Sequence, residues 1–175
     1  MPAGQGLDIG RIAQVILDGL ITHWAAAPKA TLPPRRMIAP GSARGIAWDG
    51  EGLAVSLGGI GVGAAPSQEA GTPRTGNPVA QVLRHAVFVV QLVRCTPESH
   101  NGVTPPDAAE VTAAGLSLMR DAGLLSQALT EIASPVRSEL GPGGLVVVGA
   151  VDVLGPQGGL AAVEATLTAT AGKLL

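Results

Sequence analysis

RHAVFVVQLVRC, running from Arg84 to Cys95, is apolar on both sides when laid out as a strand. Successive side chains of a strand point to opposite faces. Ala86, Phe88, Val90 and Leu92 therefore share one face, and Val87, Val89 and Val93 share the other. A half-buried strand alternates apolar with polar, whereas a strand covered on both faces need not. A chain of 175 residues has little material for two covers. One cover is expected to come from outside the subunit, which points to a protein that assembles.

Working outward, the segments on either side read as strands and helices in a definite order. Asp8 caps a helix carrying Ile9, Ile12, Ala13, Ile16, Leu20 and Trp24 on one stripe, ending near Ala27-Pro28. Arg35 to Ala39 reads as a short strand. Glu51 to Gly61 reads as a second, with Leu53, Val55 and Leu57 in register and a bend or bulge at its Gly-rich end. Val62 to Pro78 is dense in Gly and Pro and reads as a long inter-strand loop. Loops beyond ~12–15 residues in compact domains are usually functional or disordered, which makes this one a candidate contact element, with Arg74 as its anchor. Pro105-Pro106-Asp107 opens a long helix. Its stripe of Val111, Ala114, Leu118, Ala122, Leu125, Leu129, Ile132 and Val136 faces the sheet, and Gly123 is a candidate kink. Leu116 and Met119 lie on the opposite side, a small apolar patch on which the N-terminal helix or a neighbouring subunit can pack.

The C-terminal region reads as a hairpin. Leu145 to Leu154 is one strand, Gly155 to Gly159 the turn, and Leu160 to Thr170 the return. On the return strand Ala161, Val163, Ala165, Leu167 and Ala169 alternate with Glu164, Thr166, Thr168 and Thr170, the pattern of a half-buried strand. The whole is expected to be one domain, with residues 1–6 and 171–175 as flexible ends.

Composition excludes several functions. Net charge is −2, and no basic cluster exceeds Arg35-Arg36. Nucleic-acid binding through the backbone needs a row of Lys and Arg, and stacking on single strands needs exposed aromatics; this chain has no Tyr, one Phe and two Trp. Cys95 is the only cysteine, so an intrachain disulfide and a thiolate metal cluster are ruled out. The N-terminus does not read as a signal peptide, and no apolar run approaches the ~20 residues of a membrane span.

Catalytic patterns are missing as well. Gly59-x-Gly61-x-x-Ala64 superficially fits a dinucleotide fingerprint but is followed by Ala65-Pro66 rather than a helix. His23, His85 and His100 lack metal-ligand spacing. Asp49 and Glu51 could pair as acid and base, although carboxylates flanked by Gly more often form turns. No catalytic residue, metal or cofactor is expected. Arg35, Arg36, Arg84 and Arg94, with Asp49, Glu51 and Arg74, are the candidate assembly contacts, solvated surface charge being their plainer reading.

A resemblance rests on several of these strings together. RHAVFVVQLVRC leads into CTPESHNGVTPPD and then GLSLMRDAGLLSQAL, with AWDGEGLAVSLGGIGVG upstream and GAVDVLGPQGGLAAVEATLTAT downstream. In this order they resemble the tail terminator proteins of long-tailed, siphovirus-type bacteriophages of actinobacterial hosts, from about Arg35 to Thr170. Where the family's first strand carries a WDCEQL-like string, this chain has Gly50 and Gly52. The resemblance implies an α+β subunit, a mostly antiparallel sheet with helices on one face, assembled into a homohexameric ring. Such a ring caps the major tail tube protein, offers a surface to the neck or stopper protein, and lets DNA pass without specific binding. It would act in the virion at the head–tail junction, after assembly in the host cytoplasm. Other expectations are a different neck ring, stopper or head–tail adaptor, and a small enzyme or ligand-binding domain.

Overall fold

The computed structural model describes residues 7–28, 30–39, 48–62, 84–99 and 104–171. Helix α1 spans Ile9–Ala26, strand β1 Arg35–Ala39, β2 Gly52–Val62, β3 Arg84–Cys95, helix α2 Ala108–Leu140, β4 Leu145–Gln157 and β5 Leu160–Ala171. The fold is α+β, with a five-stranded mixed sheet in the order β1-β2-β3-β5-β4. β1 runs parallel to β2, and the other three pairings are antiparallel. The loop read from Val62 to Pro78 lies outside the described residues beyond Val62, as does Arg74. The strands it joins are neighbours, and Val62 is paired with Arg84.

Each element ends for a local reason. The Asp8 carboxylate accepts the Arg11 amide at 3.0 Å and caps α1, while Pro28 follows its end. β2 carries its irregularity between Leu57 and Gly59, within the Gly-rich stretch where the sequence suggests a bulge. The C-terminal turn is tighter than the sequence suggests. β4 continues through Gly155, Pro156 and Gln157, leaving Gly158 and Gly159, both at positive φ, to close the hairpin. Pro156 is tolerated because β4 is an edge strand.

The sheet's alternation fixes the core. Leu53 and Val55 of β2, Ala86, Phe88, Val90 and Leu92 of β3, and Val163, Ala165, Leu167 and Ala169 of β5 form one cluster with both helices. Helix α1 lies over β1 and β2, and α2 over β4 and β5. Central β3 therefore sits beneath the line where the helices meet. The only Phe, Phe88, is fully buried there. Apart from Phe88 and Trp24 the core is built mainly of Ala, Val, Leu and Ile, and the helices approach closely. A Cβ added at Gly19 of α1 would come 2.6 Å from Ile132 of α2.

The α1 stripe is buried at Ile12, Ala13, Ile16, Leu20 and Trp24 as its spacing predicts, and Leu17 joins it. The α2 stripe holds only in part. Leu118, Leu125, Leu129, Ile132 and Val136 are buried, but Val111 is 49% exposed and Ala114 only half-buried. Nor does Gly123 divide the helix, which runs unbroken from Ala108 to Leu140.

Leu125 and Leu129 are both fully buried between sheet and helix. Truncating either to Ala is expected to cost about 2–5 kcal/mol through lost burial and the cavity left behind. Urea unfolding checks this: each variant should show a lower midpoint with an unchanged slope, and a midpoint equal to the parent's would refute the packing described.

Candidate functional site

Arg94 continues the helix-side register of Phe88, Val90 and Leu92, so the same alternation that builds the core delivers a cation to its edge. Its Nε donates to Asp121 Oδ2 at 2.8 Å and its Nη2 to Asp121 Oδ1 at 3.3 Å, a two-point pair between β3 and α2. Nη1 donates to Glu51 Oε2 at 3.1 Å, and Nη2 also reaches the Thr31 carbonyl. One guanidinium thereby joins the end of β3, the middle of α2, the approach to β1 and the entry to β2. Arg94 is 7% exposed and Asp121 2%. Burial alone would depress the guanidinium, but Asp121 and Glu51 outweigh it and hold Arg94 above its ordinary value.

The face away from the helices carries a second arrangement. The Trp48 indole packs against Gly52, where a Cβ would collide with it, and its Nε1 donates to Gln91 Oε1 at 2.8 Å. Gln91 Nε2 in turn reaches Glu164 Oε2 at 3.4 Å, carrying a polar line from β3 to β5. Beside Trp48 a cavity of about 240 Å3 opens among Gln91, Val93, Leu154, Leu160 and Ala162. Val87 and Val89, further along β3 on this face, are half-buried.

No model of a known protein family matches the chain, and no curated protein is significantly similar to it.

The candidate contact residues separate into two groups. Arg94 is buried and bound to Asp121 and Glu51 within the chain, while Glu51 itself remains partly exposed. Asp49 is ion-paired with Arg35 at the surface, next to the first strand. Asp49 and Glu51 are thus held by different arginines rather than set up as an acid–base pair. Arg36 and Arg84 are exposed. His23 meets Glu131 at 3.0 Å and ties α1 to α2, while His85 lies over Gly61 on β2. Cys95 is exposed at the end of β3. Among the described residues no group of three His, Cys, Asp or Glu side chains is placed to hold a metal, and no helix is long and apolar enough to cross a membrane.

Sequence reasoning missed Asp121 and Trp48. Asp121 was legible in principle, since it falls on the buried stripe between Leu118 and Leu125, where a carboxylate needs a cation.

Replacing Arg94 by Leu leaves the Asp121 carboxylate buried and unpaired, and is expected to cost about 3–5 kcal/mol. Replacing Arg94 and Asp121 together by Leu should recover most of that loss. Denaturant midpoints of the parent, single and double variants decide it: a double variant as unstable as the single one would contradict the pairing.

Proposed function

We propose that the chain is a structural virion protein, a tail terminator of the siphovirus type. Copies of it form a ring, homohexameric in the family it resembles, that caps the tail tube and joins it to the neck. It works by complementary binding rather than by turnover. The observation that carries the reading is the central strand. β3 is apolar on both faces and both helices lie on one of them; on the second, Val93 is buried near Trp48, while Val87 and Val89 stay half-buried with no other helix or strand among the described residues over them. A subunit built this way has a reason to meet another protein.

Two further features support it. The buried charged cluster, Arg94 with Asp121 and Glu51, satisfies itself inside the chain and leaves little for a substrate. The exposed large apolar side chains include Leu116 and Met119, neighbours on the face of α2 opposite its buried stripe. Exposed apolar groups gathered in this way are typical of contact surfaces rather than of active sites.

Purified protein mixed with growing tail tubes is expected to cap tube ends with a ring one subunit layer thick and to stop elongation, as seen by electron microscopy. Tubes that keep growing, with bare ends and the protein left in solution, would contradict the terminator reading.

A further inference from the structure

The start of α2 is a helix without a cover. No residue from Ala108 to Ser117 is buried, and the first buried one is Leu118. This arm is about 15 Å long at 1.5 Å per residue. Helical spacing sets Leu116 and Met119 opposite the buried stripe of Leu118, Asp121 and Leu125. They are 59% and 70% exposed. The apolar character ends beyond Gly123, where exposed Ser126, Gln127 and Thr130 take over. Glu110 is the only charge before Arg120, which is exposed and makes no ion pair among the described residues.

The other side of the sheet offers what such an arm lacks. The cavity beside Trp48 is smaller than the roughly 300–1,000 Å3 of small-molecule sites, so it suits one long side chain better than a ligand. Its lining is apolar at Val93, Leu154, Leu160 and Ala162, with the Trp48 ring as one wall. Thioether sulfur packs favourably against such a ring. Next to it, on the same face, Asp152 and Glu164 stand directly opposite each other on β4 and β5, one cross-strand pair from Leu154 and Ala162. Like charges so placed are destabilising. Among the described residues neither carboxylate has a cation.

We propose that the α2 arm of one copy docks on the helix-free face of the next, with Met119 entering the cavity beside Trp48 and Arg120 meeting Asp152 and Glu164. The occupant is a second copy because knob, cavity and both signs of charge are all on this chain. Its own arm cannot serve, since α2 lies on the opposite side of the sheet. Arm and cavity are different surfaces, so successive copies can join head-to-tail and close into a ring, whereas mutual exchange of arms within one pair would stop at a two-fold dimer; the arrangement proposed is head-to-tail. This inference rests on the reading that the chain assembles with itself, and it names the surfaces by which it does so.

Cys95 lies at the rim of this face, beside Trp48 and Leu160, and supplies the test. The full chain carrying Met119→Cys is oxidised under mild conditions and run on a non-reducing gel. Head-to-tail docking predicts a ladder of covalent multimers that disappears when Cys95→Ser is added. In parallel, Arg120→Glu should weaken self-association about tenfold or more, and Arg120→Glu combined with Asp152→Arg should restore it, as a charge pair across an interface requires. Folding of each variant is checked by its unfolding midpoint. An oligomer by light scattering that gives no ladder and ignores the charge reversals overturns the docking but leaves assembly standing. Cross-linking that stops at a dimer overturns the head-to-tail geometry. A chain that stays monomeric at every concentration and does not join tubes overturns the docking and the assembly reading together.

Discussion

A central strand has both edges paired and side chains that alternate without choice, and the structure follows from how β3 meets that constraint. With β2 on one side and β5 on the other, β3 cannot turn its second apolar face away. One set of side chains supplies the seam beneath the two helices. The other set is delivered to the opposite face whether or not the chain has anything to put there. Arg94 closes the first series, and its bond to Asp121 fixes how α2 sits on the sheet. Replacing such a pair by apolar residues can be neutral, while halving it is not, so its value lies in orientation more than in net stability.

The scarcity of aromatic residues shapes the rest. A core of Ala, Val, Leu and Ile fills space by close approach, as at Gly19 against Ile132. The one partly exposed indole among the described residues fits because Gly52 has no side chain. Gly52 opens β2 with no side chain of its own. In the structure it is the seat of Trp48, which gives the helix-free face its only large aromatic surface among the described residues.

Much of the fold was legible because local signals and periodicity agreed. The Asp8 cap, the Pro28 stop and the stripe from Ile12 to Trp24 define α1, and the alternation from Ala161 to Ala169 defines β5. Periodicity could not say where a partner surface ends, which is why Val111 matches the stripe of α2 and yet lies in the open. Gly123 costs helix propensity, but packing at Leu118 and Leu125 on either side outweighs it. The contact residues were less legible. Arginine as a residue type suggests a solvated surface, whereas the strand's alternation places Arg94 on the helix side with Leu92. Nothing local to Trp48 revealed that it folds back on its own strand, because that depends on Gln91 in another strand.

Collisional quenching of tryptophan fluorescence tests the use of the helix-free face most directly. Trp24 is 1% exposed and protected in the free subunit, so the fraction quenched by acrylamide belongs to Trp48. As the purified chain is concentrated and its molar mass rises, that quenchable fraction should fall, because a neighbouring copy covers the ring. If the mass rises while Trp48 stays as accessible as in the dilute subunit, assembly uses another surface and the second apolar face of β3 is not its cause.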